Sequence, residues 1–233
     1  MLAISGLHVR FGEAHILQGI DLTVGSDPLA IVGRNGMGKT TLCQAIMGMV
    51  ATSEGSIRFG ERELAGLSPD RIARAGIALV PQGRRTFPSL TVHEHLRLVA
   101  RRGTAWTIER IYETFPRLAE RRGNGGTQLS GGEQQMLAIA RALLMDPKLV
   151  IMDEPSEGLA PVIVDHLIEV LKGLSREGMG VLLVEQNLRV ATEVAGQVVI
   201  MVTGRVAARM ASAELAADSD LQRRYLGVST GHH

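Results

Sequence analysis

Cysteine occurs once in this chain, as Cys43, which excludes a disulfide framework and any cysteine-based metal centre and suits a reducing compartment. Aromatic residues are scarce too, at 3%. Charge of one sign is missing: 25 Lys+Arg face 24 Asp+Glu, so no global positive excess exists to hold a polyanion such as DNA. Lysine is rarest among the cations, with only Lys39, Lys148 and Lys172, and the position of each is therefore informative. No run approaches the roughly 18–20 apolar residues that span a bilayer, and runs such as Val181 to Val184 and Val198 to Val202 have strand length. Met1 to Arg10 alternates and carries His8 and Arg10, so it lacks the tripartite order of an export signal, and the chain is expected to stay in the cytoplasm. No internal repeat and no low-complexity segment is found.

What is present is an ordinary globular balance, 45% apolar and 21% charged over 233 residues, enough for one large domain or a core with a smaller inserted lobe. Leu2 to Phe11 and His15 to Val24 read as a hairpin joined through Gly12-Glu13-Ala14. The pattern then changes to short apolar runs, Leu29 to Val32, Ile77 to Val80, Leu149 to Met152, Val181 to Val184 and Val198 to Val202. Most of these are separated by helical patterns, which means an α/β parallel sheet. A helix is expected over Lys39 to Met49. Between the runs at Ile77 and Leu149 no strand pattern occurs, and two capping boxes, Thr91 to Glu94 and Ser130 to Glu133, mark helix starts. A helical insert is therefore expected at about residues 86–146, approached at its second box through the glycine-rich loop Arg122 to Gln128.

Gly33-Arg34-Asn35-Gly36-Met37-Gly38-Lys39-Thr40 follows G-x-x-x-x-G-K-[ST] and lies between an expected strand and an expected helix. Glycines there let backbone N–H groups approach phosphates, the helix start adds partial positive charge, Lys39 reaches terminal phosphate oxygens and Thr40 can ligate Mg²⁺. Thr41 completes the nucleotide-binding set. Leu149 to Glu154 is an apolar strand ending in two carboxylates, at the edge where open α/β sheets bind ligands. Asp153 is placed to hold the metal, directly or through water, and Glu154 to polarise an attacking water. Leu129-Ser130-Gly131-Gly132-Glu133-Gln134 offers a second anion site, because a hydroxyl and free N–H groups at a helix start face outward, with two glycines permitting close approach. A plain helix cap does not need both glycines, each of which costs about 0.5–1 kcal/mol relative to Ala.

These three motifs, in this order and spacing, resemble the ATP-binding cassette ATPases, over Phe11 to about Gly204. The resemblance implies a P-loop, RecA-like core with an N-terminal antiparallel β subdomain and an inserted α-helical subdomain, binding ATP and Mg²⁺. It also implies that Phe11 stacks on adenine and that Gln82 links the γ-phosphate and metal to the helical lobe. Pro155 to Ala160 would address the opposite subunit, with Ala160 in place of the usual aspartate. Gln186 stands where most of the family has a histidine on the γ-phosphate, so it either positions water or phosphate or simply precedes Asn187, the cap of the next helix. Within the family, the phosphate loop, Gly83 to Pro88, Leu129 to Gln135, Gly158 to Pro161 and Val184 to Asn187 together resemble the LivF-type subunit of branched-chain amino acid importers, with urea and short-chain amide importers close by.

The reading is thus an energy-coupling ATPase on the cytoplasmic face of the plasma membrane. It would pair head-to-tail with a second, related but non-identical ATPase, and act on two transmembrane permeases and, indirectly, on a solute-binding protein, with no nucleic acid partner. Arg84, Arg85, Phe87 and Pro88 are expected on the surface that meets the permease. A soluble, non-transport cassette ATPase is the alternative of another class, disfavoured by the single cassette and the lack of a sustained heptad pattern. His93 and His95, two apart on one helix, point in different directions and cannot share a metal, and Cys43 reads as a small buried apolar group.

Overall fold

The computed structural model describes residues 1–83 and 86–226. Arg84, Arg85 and the closing His232 and His233 lie outside that range. The chain opens with β1 (Leu2–Phe11) and β2 (Ala14–Val24), then β3 (Leu29–Val32) and α1 (Lys39–Ile46). After β4 (Glu54–Phe59), β5 (Arg62–Glu63) and α2 (Pro69–Arg74) comes β6 (Ile77–Val80). Only helices follow until β7 (Leu149–Asp153): α3 (Val92–Val99), α4 (Ile108–Thr114), α5 (Pro116–Glu120) and α6 (Gly131–Leu143). The remainder is α7 (Pro161–Arg176), β8 (Gly180–Glu185), α8 (Leu188–Val194), β9 (Gln197–Val202), β10 (Arg205–Ala211), α9 (Ser212–Ala217) and α10 (Ser219–Leu226).

Two sheets result. One is antiparallel, in the order β2-β1-β4-β5, and the other runs β10-β9-β3-β8-β7-β6 with only β10 antiparallel. The apolar runs are continuous because both faces of the parallel strands are covered. Successive side chains then part company: in β7, Val150 and Met152 join the helices α3, α6 and α7, whereas Leu149 and Ile151 join α1 and the antiparallel sheet. The same division holds in β8, with Val181 and Leu183 on the first side and Leu182 and Val184 on the second.

The helical stretch begins where its chemistry says it should. Thr91 Oγ1 accepts from the Glu94 amide at 3.2 Å and the Thr91 amide donates to Glu94 Oε2 at 2.8 Å, so two of the first-turn donors are satisfied reciprocally. His95 is fully buried one turn on. Its Nε2 accepts from the Phe87 amide at 2.8 Å, which leaves Nδ1 as the donor to the Thr91 carbonyl, also at 2.8 Å. Burial pushes its pKa down, and the imidazole works as a neutral brace. His93 instead meets the Tyr112 hydroxyl at 3.0 Å.

Some elements differ from expectation. The helix expected over Lys39 to Met49 stops at Ile46 because Gly48 turns to φ +65 against Leu67, where any Cβ would lie 2.3 Å from the Leu67 carbonyl oxygen. Strands β4, β5 and β10 had no clear apolar run. Of the six residues of β4 only Ile57 is buried, and β10 lies on the sheet edge with no buried residue.

Phe115, between α4 and α5, is the largest fully buried side chain and packs edge-on to His166 of α7. Phe115→Ala is expected to destabilise the helical stretch by about 3–5 kcal/mol. Denaturant unfolding followed through Trp106, which sits in the same core, measures this. A loss well under 1 kcal/mol would mean that the cluster collapses around the gap.

Candidate functional site

The parallel register decides what meets what. Val32 of β3 pairs with Glu185 of β8, and Val184 of β8 pairs with Asp153 of β7. Residues that leave the carboxyl ends of these strands are therefore neighbours, at the edge where open α/β sheets bind ligands. A cleft of about 430 Å³ opens there, lined by Phe11, Ile16, Asn35, Gly38, Lys39, Thr40, Thr41, Gln82 and Glu154 among others. A larger concavity, about 990 Å³, lies at the opposite edge of the sheet near Trp106 and Lys148, and neither the phosphate loop nor the Asp153-Glu154 carboxylates line it.

The turn from β3 into α1 is made by Gly38 at φ +93, whose Cβ position would sit 3.0 Å from Leu17 Cδ2 and 3.3 Å from the Ile16 carbonyl oxygen. Lys39 follows and is almost completely buried. Its ammonium donates to the carbonyls of Gly33 at 2.8 Å and Arg34 at 3.1 Å and pairs with Glu154 Oε1 at 3.2 Å. Three acceptors hold the charge, as a buried cation requires. Glu154 has a backbone at φ +50, uncommon for a residue with a side chain, and its amide is held by the Val184 carbonyl at 2.8 Å. Its second oxygen, Oε2, accepts from Gln82 Nε2 at 3.3 Å, and the same amide group reaches Glu157 at 2.8 Å.

Asp153 lies beneath. Its carboxylate accepts the Thr40 hydroxyl hydrogen bond, while Oδ1 is buried with no hydrogen-bond partner, and burial pushes its pKa up. An orphaned, ionisable oxygen beside a hydroxyl is a hard-donor pair that fits a Mg²⁺ ion. Gln186 reaches across to the phosphate loop, its amide donating to Asn35 Oδ1 at 2.5 Å. The cap of α8 is Asn187, whose side chain accepts from the Val190 amide.

Not every motif residue faces the cleft. Arg34 and Met37 line a separate cavity of about 310 Å³ with Thr203, Arg224 and Tyr225. Leu129 to Gln134 lie at the start of α6 and do not line the nucleotide cleft. Ser130 is exposed, and its capping box closes with Ser130 N to Glu133 Oε2 at 2.7 Å and Glu133 N to Ser130 Oγ at 3.3 Å. A Cβ on Gly132 would lie 3.2 Å from Ile163 of α7. Ala160 is the first residue before α7 and has no side-chain cap to offer.

One buried group had no role assigned from sequence. Glu185 ends β8 almost fully enclosed, and its two oxygens accept from the amides of Ser156 at 3.0 Å and Asn187 at 3.1 Å. Burial pushes its pKa up and those bonds oppose the rise. It ties the segment after Glu154 to the segment carrying Gln186. The signal was a carboxylate in an apolar run, Val181 to Glu185.

A phosphate-loop turn and an acidic strand end at the carboxyl edge of a parallel sheet define a P-loop nucleoside triphosphatase. The chain belongs to the ABC transporter family, which matches residues 17–157. It is 38% identical to the high-affinity branched-chain amino acid transport ATP-binding protein BraG of Pseudomonas aeruginosa, over 97% of this chain and 100% of that one. A probable branched-chain amino acid transport ATP-binding protein LivF of Archaeoglobus fulgidus is 33% identical over 98% and 99% of the two chains. A solved ATP-binding subunit of an ABC transporter superposes with a TM-score of 0.82 at 28% identity, covering 97% of this chain and 96% of that chain. The chain is accordingly an ATP-binding ATPase subunit.

The raised pKa of Asp153 makes a sign-specific prediction. A carboxyl whose folded pKa exceeds its unfolded value contributes stability at low pH that is lost as pH rises through the folded value. Asp153→Asn removes that loss. In nucleotide-free, chelator-treated protein the variant's thermal midpoint should gain on the wild type as pH climbs from the ordinary aspartate range to neutrality. A difference independent of pH would contradict the burial of an ionised Asp153.

Proposed function

We propose that this chain drives a membrane importer for branched-chain amino acids, with its own residues positioning Mg²⁺·ATP for attack by water. The likeness to BraG over the full chain supports the solute class. The convergence of Lys39, Thr40, Gln82 and Glu154 in one cleft, with Asp153 orphaned beside Thr40, is the observation that carries the chemistry. Among the described residues no helix is long and apolar enough to cross a membrane. In this reading permease subunits act in trans, and the chain works at the cytoplasmic face.

Phosphate oxygens compete with the carbonyls of Gly33 and Arg34 for the Lys39 ammonium, which frees Glu154 Oε1 to accept a proton from the attacking water. Gln82 releases Glu154 and Glu157 and turns its amide to the γ-phosphate. Gln186, already on Asn35, supplies a neutral donor that orients without titrating. Phe11, half exposed at the end of β1, gives the adenine a stacking face. Thr40, Asp153 and Gln82 would hold Mg²⁺, which when bound would supply positive charge against the phosphate oxygens.

Ser130 and its neighbours stand outside this cleft, and their outward-facing helix start suits the phosphates held by another subunit. The reading is therefore a head-to-tail pair with a related ATPase. Residues 86–146 form a helical lobe, and exposed Phe87, which stacks on His95 with the Arg141 guanidinium 5.5 Å above its ring, belongs to the surface presented to the permease.

Two experiments test these roles. Glu154→Gln keeps the shape and removes the proton acceptor, and should lower turnover by about 10²–10⁴ while nucleotide still binds. Near-normal hydrolysis in the assembled complex sinks the assignment. Lys39→Ala should weaken the chain's own nucleotide binding, whereas Ser130→Arg should leave it intact and block hydrolysis only with the partner present. If nucleotide titration finds the two variants equally defective, the shared site is wrong.

A further inference from the structure

The turn that joins β9 to β10 lies beyond the matched segment, yet it is wedged into the nucleotide cleft's frame. It has two residues, Thr203 and Gly204, both left-handed at φ +46 and φ +71, as a tight hairpin between right-twisted strands requires. On one side it meets β2: the Gln18 amide donates to the Gly204 carbonyl at 2.8 Å, and Gln18 Nε2 donates to the Thr203 carbonyl at 3.3 Å. Arg205 then clamps Gln18 Oε1 at 2.9 Å. On the other side it meets the phosphate loop. The Gly204 amide donates to the Met37 carbonyl at 3.1 Å, and the Thr203 amide points at Met37 Sδ, also at 3.1 Å.

The clearance is small. A Cβ on Gly204 would lie 1.9 Å from the Ile16 carbonyl oxygen, and the Cβ position of Gly38 is 3.6 Å from Gly204 Cα. Ile16 and Gly38 both line the cleft. The turn therefore touches, within one residue, the wall beside Phe11 and the loop that precedes Lys39.

We propose that Thr203-Gly204 is a spacer that holds the Ile16 wall and the phosphate loop at the separation ATP needs, with Gly204 as a positioning residue. The proposal rests on reading the cleft as the ATP site. A backbone wedge bonded to both walls presets the loop before nucleotide arrives. Ordering cost is then removed from binding, so the spacer acts on affinity and not on the chemical step.

The test is titration of the purified full chain with a fluorescent ATP analogue, alongside ATPase rates at saturating ATP in the assembled complex. Gly204→Ala should raise the dissociation constant about tenfold or more while the saturated rate changes less than about twofold, the pattern of lost positioning. Gly55→Ala is the matched control: Gly55 has φ +94 and a Cβ there would meet the Gly6 carbonyl oxygen at 2.4 Å, away from the cleft. It should lower the thermal midpoint and leave affinity alone. Gln18→Ala, which removes only a side chain that clamps the turn, should weaken binding about two- to threefold and serves if Gly204→Ala does not fold. Unchanged affinity in Gly204→Ala, or in Gln18→Ala where that variant decides, overturns the spacer, as does an equal loss in Gly55→Ala. If Lys39→Ala abolishes binding while the turn variants retain it, the spacer falls and the ATP site stands. A wild-type chain that does not bind the analogue overturns both.

Discussion

The Lys39–Glu154 ion pair depends on a register, and most of the site depends on the same register. Because β8 lies between β3 and β7 with all three strands parallel, the loop after β3 and the acidic end of β7 emerge at the same edge of the sheet, one strand apart. A one-residue slip would turn Asp153 and Glu154 to opposite faces and leave the Lys39 ammonium without its carboxylate. The paired strands carry apolar residues on both faces, and each face has its own cover, so such a slip is opposed by two cores at once.

The polar groups of the cleft satisfy one another. Lys39 is bonded to loop carbonyls and to Glu154, Gln82 divides its amide between Glu154 and Glu157, and Gln186 rests on Asn35. In the proposed mechanism each contact uses a group that the γ-phosphate would claim. Asp153 Oδ1 is the exception, a buried oxygen with no partner inside the protein. Unpaired buried oxygens are costly, which is why they concentrate where a ligand completes them.

The sequence was most legible where local chemistry is strong. Both capping boxes, at Thr91 and Ser130, are formed as their spacing implies, and β3 and β6 match the apolar runs Leu29 to Val32 and Ile77 to Val80 residue for residue. It was least legible where pairing depends on distant chain. Strand β4 is held by β1 and not by its own pattern, and β10 is an edge strand whose place is set by a two-residue turn. Among site residues, Asn35, Gly36, Gly38 to Thr41 and Glu154 could be read from motifs, and Phe11 and Gln82 from the family resemblance. The burial of Glu185 and the wedge at Gly204 could not, because each acts through contacts made by residues far off in sequence.

The alternation of side chains along β7 and β8 has a mechanical consequence. The helices α3, α6 and α7 rest on one face of the sheet, and α1 with its phosphate loop rests on the other, so the two share no packed interface except through the strands between them. Tilting the helical stretch on its face need not disturb the packing of α1. In the proposed function, work done at one surface would pass through the strand ends, by way of Gln82 beyond β6 and Glu154 and Glu157 beyond β7, with the sheet as a plate and those three side chains as its linkage.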